Sequence, residues 1–190
     1  MNGREFFSKY CVHINRLTRI IGLLPQKIRS RRFEALRYKN GSIAMFKRYL
    51  YFKTLTKQCG ENVAIFPGVF FENIENLVVG SNVSIHQMCY IDAEGEIEIG
   101  DNVSIAHRST ILSSNHGYKD PIIPIKYQNM ILEKTKICNN VWIGCGCVVL
   151  SGVEIGSGTV VGANSAVTKS IPENSVALGS PAKRIKSRLS

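Results

Sequence analysis

One of the four histidines in this 190-residue chain stands where a general base would be useful. His116 lies near the end of the segment 111–117, ILSSNHG, which leads into an irregular stretch at 117–136. An imidazole titrates near neutral pH, so it can accept a proton from a hydroxyl or an amine. We expect Asn115 to point inward and His116 outward. The sequence therefore predicts His116 as a general base at the edge of a loop.

The segments on both sides of His116 repeat with a period of six residues. A period of six predicts a triangular coil in which each flat side is one short strand, with its β-branched side chain inside. Twelve hexapeptides form about four turns, and residues 60–78 are expected to form a looser first turn. Glycine often follows the aliphatic residue, where we expect it to tolerate the backbone angles of a corner. The twelve aliphatic positions are Val79, Ile85, Ile91, Ile99, Ile105, Ile111, Ile137, Ile143, Val149, Ile155, Val161 and Val167.

Two interruptions break this period. The first, at 96–98, adds two residues and predicts a bulged corner. The second, at 117–136, predicts a loop extruded from the coil, because the repeat resumes in register after it. Long loops in compact domains are usually functional or disordered. We expect this loop to overhang a site on a neighbouring subunit; the alternative is a solvated insertion.

The charge of the chain is concentrated at one end. Residues 1–57 contain 14 of the 24 Lys and Arg residues but only Glu5 and Glu34 as acids, so they carry +12 and the remainder −2. Apolar residues from Phe6 to Leu24 recur every three or four positions, which predicts an amphipathic helix ended by Pro25. This basic arm either lies on an anionic membrane surface or caps the open end of the coil. No nucleic-acid-binding motif accompanies the charge, so we do not expect nucleic acid as a partner.

The remaining composition favours a cytoplasmic protein. Apolar runs fall short of the roughly 20 residues that span a bilayer, and we expect no signal peptide. The six cysteines form no CxxC pair, so they are expected to be reduced thiols. Localisation is therefore predicted as cytoplasmic, or peripheral on the inner face of the cytoplasmic membrane.

Across residues 59–186 the chain resembles the hexapeptide-repeat O-acetyltransferases, which include galactoside, maltose, serine and streptogramin acetyltransferases. It is most similar to the sugar O-acetyltransferases of bacterial capsule, exopolysaccharide and O-antigen clusters. The resemblance is specific because several matching segments follow one another in a fixed order along the chain. The matching segments are SNH at 114–116, NVWIG at 140–144, SGVEIG at 151–156, GANSAVTKSIP at 162–172 and ALGSPAK at 177–183.

The resemblance implies a left-handed parallel β-helix over 59–182, preceded by a basic, partly helical arm at 1–58 and followed by a basic tail at 183–190. It implies a homotrimer with acetyl-CoA in the groove between two coils. His116 would be the base, and a backbone N–H near Cys145 would hold the oxyanion. The residues implied to contact acetyl-CoA are Trp142, Gly144, Cys145, Ala163, Thr168 and Lys169, with Lys183, Arg184 and Lys186 at its phosphates.

No metal ion is expected. A metalloenzyme of the carbonic anhydrase type can share such a coil, but it carries two histidines five residues apart, and no two histidines here are that close. His86 and His107 are expected on the surface, although His86 could line the acceptor pocket.

The acceptor pocket departs from the family pattern. An asparagine that touches the sugar in the galactoside enzyme corresponds here to His86 or Met88. The candidates for acceptor contacts are Asn115, His86, Met88, Tyr118, Asp120 and Gln128. This departure and the arm favour a large acceptor, such as a lipid-linked saccharide or a surface polysaccharide. N-acetylation of an amino sugar, acetylation of a drug and a non-catalytic membrane-associated coil stay open as alternatives, and the basic tail could be merely solvated.

Overall fold

The computed structural model describes residues 3–189, apart from the side chains of residues 3, 4 and 6. The ends of the predicted arm and tail (residues 1, 2 and 190) and the Phe6 side chain of the predicted apolar stripe lie outside this description. Three helices precede the coil: α1 (Gly3–Gly22), α2 (Gln26–Ala35) and α3 (Ser42–Leu55). The predicted helix thus ends at Gly22, and Pro25 caps the start of α2, a separate helix that the apolar pattern did not reveal.

Short strands follow in groups of three, one group to each turn of the coil. The first three turns contain β1 (Gln58–Cys59), β2 (Ala64–Ile65), β3 (Phe70–Glu72), β4 (Leu77–Val79), β5 (Ser84–Ile85), β6 (Tyr90–Asp92), β7 (Ile97–Ile99), β8 (Ser104–Ile105) and β9 (Thr110–Leu112). A hairpin of β10 (Ser114–His116) and β11 (Met130–Leu132) then leaves the coil. The coil resumes with β12 (Thr135–Ile137), β13 (Trp142–Ile143), β14 (Val148–Val149), β15 (Glu154–Ile155), β16 (Val160–Val161), β17 (Ala166–Val167), β18 (Ser175–Gly179) and β19 (Ala182–Ser187). Short 3-10 helices lie at Ile74–Asn76 and Ile125–Tyr127.

These strands stack into three parallel sheets, which form the faces of a prism. Face A contains β1, β4, β7, β12 and β15; face B contains β2, β5, β8, β13, β16 and β18; face C contains β3, β6, β9, β14 and β17. The last strand, β19, pairs with β18 antiparallel at the end of face B. The predicted left-handed parallel β-helix is confirmed, with five turns and part of a sixth.

The hexapeptide pattern places its aliphatic residues inside the prism. All twelve predicted positions are at most 1% exposed, so the inward column runs through the whole coil. The two extra residues at the first interruption are also present in the preceding turn of the coil. Gln58 pairs with Val78 and Val78 with Glu98, 20 residues apart, whereas Lys136 pairs with Glu154, 18 residues apart. The extra residues of the second turn form a tight turn that ends at Glu96, which has a left-handed φ of 72° and is the first residue of the interruption predicted at 96–98.

The expected reason for the corner glycines is wrong. None of Gly80, Gly100, Gly144, Gly156 and Gly162 has a positive φ. The left-handed positions of the neighbouring corners are instead held mainly by asparagines, which tolerate this conformation; they are Asn62, Asn82, Asn102, Asn140, Asn164 and Asn174. The glycines are needed for close approach between turns.

We expect Gly80→Ala to lower the free energy of unfolding by about 1–3 kcal/mol, because the new methyl group overpacks two turns. A Cβ at Gly80 would lie 2.7 Å from the carbonyl carbon of Gly100 and 2.8 Å from the backbone nitrogen of Asp101. Denaturant titration measures the loss. The matched control is Gly22→Ala, where no atom lies within 4 Å of the added group; equal destabilisation by both changes would contradict the stacking explanation.

The arm covers the open N-terminal end of the coil. Tyr49, Phe52 and Leu55 of α3 are buried in the same core cluster as the inward column. Arg48, 2% exposed, donates to the carbonyl oxygens of Ile65 (2.8 Å), Leu36 (2.9 Å) and Lys39 (2.7 Å). These bonds join α3, the segment after α2 and the first turn of the coil. The arm therefore acts as a cap, as one of its two predicted roles requires. Among residues 3–189, no helix is both long and apolar enough to cross a membrane.

Candidate functional site

His116 lies at the end of β10, on a hairpin that projects from the corner between face C and face A, here called the CA corner. Its backbone pairs with Met130 of β11, and its side chain is exposed. The expectation that Asn115 points inward is wrong, because Asn115 is exposed too and pairs with Ile131. The chain has already left the coil at Ser114, so the alternation of the repeat no longer applies there.

The base of this hairpin is tied to the coil by hydroxyl groups. Ser114 Oγ donates to the Asp92 carboxylate (2.6 Å), and Ser113 Oγ donates to the Asp92 carbonyl oxygen (2.8 Å). On the returning strand, Thr135 Oγ1 donates to the carbonyl oxygen of Leu112 (2.7 Å). These hydrogen bonds, here called the brace, were not predicted from the sequence. The pattern that could have indicated them is the 20-residue spacing between turns, which places Asp92 beside Leu112. The brace fixes the root of the strand that ends in His116.

The tip of the hairpin is held by two residues predicted to touch the acceptor. The Asp120 carboxylate accepts from the backbone N–H groups of Ile122 (2.8 Å) and Ile123 (3.2 Å). The Gln128 amide donates to the carbonyl oxygens of Asp120 and Ile123, both at 2.8 Å. Both side chains therefore order the loop and border a depression of about 360 Å³.

The extruded segment spans 114–132, and the coil resumes at Thr135, one residue before the predicted end of the loop.

The hairpin also presents an apolar surface to solvent. Ile122 is 88% exposed and Tyr127 72% exposed. Several large exposed apolar side chains on one projecting element are typical of an interaction site. Its members are Tyr118, Ile122, Ile123, Ile125, Tyr127, Met130, Ile131 and Leu132.

A second group of predicted residues lies at the corner between face B and face C, the BC corner. Gly144 and Cys145 follow β13, and Ala163 occupies the position of Cys145 one turn later. Within residues 3–189, the backbone N–H of Cys145 makes no hydrogen bond, as an oxyanion donor requires. Trp142, on face B just before this corner, is 54% exposed.

Two predicted acceptor residues lie on the same BC corner, closer to the arm. The ring of His86 stacks on Phe66 with 4.5 Å between ring centres and 7° between planes. Partial burial, and next the charge of His107, lower the pKa of His86 below its usual value, which favours the neutral imidazole. Met88 is 56% exposed and has a left-handed φ of 60°.

The remaining predicted residues lie elsewhere. Thr168 and Lys169 are exposed at the CA corner after β17, two turns beyond the root of the hairpin. Lys183, Arg184 and Lys186 belong to β19, paired with Leu178, Ala177 and Val176 of β18. The segment 182–187 is therefore a strand at the end of face B, with exposed cationic side chains, and not an unstructured tail.

The structure thus divides the predicted site between two corners of one prism. His116 projects from the CA corner, whereas Cys145 and Ala163 lie on the BC corner, with face C between them. A single copy of the coil does not bring the base and the oxyanion donor to one edge. In the part of the chain that is described, no group of three or more His, Cys, Asp or Glu side chains is placed to hold a metal ion.

Residues 134–169 match the family model described as bacterial transferase hexapeptide (six repeats). The "Putative lipopolysaccharide biosynthesis O-acetyl transferase WbbJ" of Escherichia coli K12 is 35% identical over 136 residues, covering 67% of this chain and 69% of that protein. The galactoside O-acetyltransferase of the same organism is 36% identical over 140 residues, covering 74% and 68%. The dTDP-4-amino-4,6-dideoxy-D-glucose acyltransferase of Escherichia coli is 31% identical over 158 residues, covering 70% and 82%. A stronger local match, 60% over 50 residues, spans only 24% of an acetyltransferase-like protein of Schizosaccharomyces pombe.

Solved structures agree with these sequence matches. A galactoside acetyltransferase in complex with coenzyme A superposes with a TM-score of 0.73 at 31% identity, covering 85% of this chain and 82% of that one. A maltose O-acetyltransferase from Clostridium difficile 630 superposes with a TM-score of 0.70 at 28% identity, covering 96% and 88%. The shared fold extends over nearly the whole chain.

Proposed function

Because the chain belongs to the hexapeptide-repeat acetyltransferases and uses acetyl-CoA as co-substrate, we propose that it transfers the acetyl group to a sugar hydroxyl of a bacterial surface polysaccharide or its lipid-linked precursor. The observation that carries this proposal is His116, exposed on a hairpin that is braced to the coil at its root. The relatives named for lipopolysaccharide biosynthesis and galactoside acetylation support a saccharide acceptor.

In the proposed mechanism, His116 takes the proton from the acceptor hydroxyl as the oxygen attacks the thioester carbonyl. The free backbone N–H of Cys145 donates to the oxyanion that forms. When the carbon–sulfur bond breaks, His116 returns the proton to the departing thiolate. The side chain of Trp142 forms one wall of the acetyl-CoA site, and Gly144 lies next to Cys145, whose backbone N–H is the donor. Ala163, Thr168 and Lys169 bind along the pantetheine arm, and Lys183, Arg184 and Lys186 bind the phosphates.

The working unit is a homotrimer in this proposal. The division of the site between the CA and BC corners supports it, because a neighbouring copy can bring its BC corner to the His116 of the first. The apolar surface of the hairpin supports it as well, since a second copy would cover side chains such as Ile122 and Tyr127. Each site then contains residues from two protomers.

Acetyl transfer to an undecaprenyl-linked oligosaccharide tests the proposal. Purified protein should release free coenzyme A thiol in proportion to an alkali-labile ester on the saccharide. Absence of transfer to any saccharide, with acetyl-CoA still bound, would overturn the saccharide acceptor while leaving the family unaffected.

N-acetylation is the second candidate, and the match to the dTDP-amino-sugar acyltransferase favours it. The imidazole of His116 would take the proton from an amine acceptor in the same way. An alkali-stable product formed on an amino sugar would select this alternative over O-acetylation.

We further propose that the cytoplasmic protein docks on an anionic membrane through α1. With 3.6 residues per turn, Val12 lies on the side of α1 opposite the buried Ile14, and Leu23 follows directly after the helix, which ends at Gly22. Val12 is 73% exposed and Leu23 85% exposed, and the basic residues Arg16 and Arg19 are exposed nearby. Apolar side chains flanked by cations suit the interface of an anionic bilayer.

The double change Arg16→Glu and Arg19→Glu should lower partitioning onto phosphatidylglycerol vesicles by at least about tenfold, since each cation near such a surface contributes about 1 kcal/mol. Vesicle sedimentation measures the effect. The matched control reverses Lys119 and Lys126 on the hairpin, with the same change in net charge. Equal loss of binding in both variants would show that α1 has no special role.

A further inference from the structure

The BC corner requires a left-handed residue in each of five successive turns. The φ angles there are 77° at Gly68, 60° at Met88, 59° at Arg108, 67° at Gly146 and 57° at Asn164. Glycine and asparagine adopt this conformation readily, but Met and Arg do so rarely, because Cβ approaches the following carbonyl oxygen. Folding alone therefore favours a different residue at Met88 and Arg108, and such outliers tend to occur at functional positions.

Arg108 also places an uncompensated charge on this corner. It is exposed, and within residues 3–189 its guanidinium joins none of the ion pairs or hydrogen bonds. No acidic side chain occurs among the corner segments, and besides Arg108 their titratable groups are His86, His107 and Cys145. These corner segments are FPG at 66–68, HQM at 86–88, AHR at 106–108, GCG at 144–146 and GAN at 162–164. The corner is thus cationic around Arg108.

The position of Arg108 along the corner separates it from the acetyl-CoA groove. The backbone N–H of Gly146 donates to the backbone carbonyl oxygen of His107 (3.0 Å), so Arg108 lies one turn from Cys145 on the side of the arm. The proposed pantetheine groove runs the other way, from Cys145 through Ala163 towards β19. The arm side of the corner, with Arg108 and Met88, is therefore left for the acceptor.

We propose that Arg108 binds an anionic group of the saccharide acceptor, either the carboxylate of an acidic sugar or the phosphate that joins the sugar to its carrier. A guanidinium pairs with either group through two parallel hydrogen bonds. Met88 supplies an adjacent apolar surface for the sugar ring. This assignment rests on the proposed function, and it makes Arg108 a determinant of acceptor specificity.

The substitution Arg108→Asn tests it, because asparagine occupies the equivalent corner position at Asn164. We expect an unchanged or higher melting temperature, together with a fall of about 10- to 100-fold in kcat/KM for an anionic acceptor, as loss of a charge-assisted pair predicts. The anionic probes are a glucuronate-containing tetrasaccharide and a farnesyl-diphosphate-linked N-acetylglucosamine, and whichever loses activity identifies the anion. Maltotetraose, a neutral probe, should be unaffected, and so should coenzyme A affinity.

Arg31→Asn on α2, at an exposed position outside α1 and the proposed site, makes the same change in net charge; it is the control and should leave all acceptors unaffected. An equal fall for neutral and anionic acceptors, no fall at all, or a lowered melting temperature would each overturn the assignment. If the wild-type protein acetylates none of the probes, the proposed function fails. Calorimetric binding of the anionic probes to wild type and Arg108→Asn then still decides the role of Arg108: weaker binding by the variant supports it, and equal binding overturns it.

Discussion

Replacing His116 by alanine is expected to lower kcat for acetyl transfer by about 10²–10⁴-fold, the usual contribution of a general base. The imidazole is exposed, and β10 pairs with β11 through backbone groups, so the substitution removes no buried contact. The melting temperature should therefore stay within a degree or so of wild type. Release of free coenzyme A thiol under saturating acceptor measures the rate.

His13→Ala is the matched control, because His13 is also exposed but lies on α1, in the arm. It should leave kcat unchanged. Full activity in His116→Ala, or an equal loss in both variants, would remove His116 from the proposed mechanism.

Mixing two inactive variants tests whether the site is shared between protomers. His116→Ala removes the base, whereas Ala163→Trp fills the proposed pantetheine groove at an exposed position without disturbing the core. In trimers assembled at random from equal amounts, about one quarter of the sites combine an intact His116 with an intact groove. Recovery of that fraction of activity supports a shared site; no recovery assigns both groups to one protomer.

The coil could be predicted from the sequence because its rule is local and repeats. Each inward position is fixed by the same six-residue spacing, so the aliphatic column from Val79 to Val167 follows from counting alone. The same counting failed at Asn115. There the chain leaves the coil one residue after Ser113, and the alternation of a repeat holds only while the repeat continues.

The glycines show a second limit of sequence reasoning. A glycine is compatible both with a left-handed backbone and with close packing, and the sequence does not distinguish these causes. At Gly144 the cause is packing, since a Cβ would lie 2.6 Å from the backbone nitrogen of Ala163 in the next turn. Contacts between turns also escaped prediction at Asp92, whose partner Ser114 lies 22 residues away and shares no motif with it.

The arm was ambiguous in sequence because an amphipathic helix fits either a membrane or a protein surface. The structure assigns the apolar face of α1 that contains Ile14 to protein packing, and the ring of Phe7 meets Tyr49 of α3 edge-on, with 4.9 Å between ring centres. The opposite face of α1 is left exposed. Packing against the protein and the proposed membrane docking therefore involve different faces of one helix, so they can be tested separately by substitution.

Phe52→Ala is expected to destabilise the protein by about 3–5 kcal/mol, the usual cost of deleting a buried aromatic ring. Phe52 is 0% exposed, and its ring centre lies 5.0 Å from that of Phe71 in β3 and 6.2 Å from that of Phe33 in α2. Its loss therefore opens the junction of α2, α3 and the first turn. A solenoid is stabilised mainly by contacts between neighbouring turns, so an uncapped end should fray first.

The location of the damage distinguishes a cap from a general core defect. Hydrogen exchange in Phe52→Ala should accelerate most in β1, β2 and β3, while β13 and β16, several turns away, stay protected. Ile43→Ala, on the same helix but at a position 74% exposed, is the matched control and should change neither stability nor exchange. Uniform acceleration through every turn would mean that the coil unfolds as one unit. In that case the cap stabilises the whole coil, and deleting the arm should abolish activity even though His116 lies outside it.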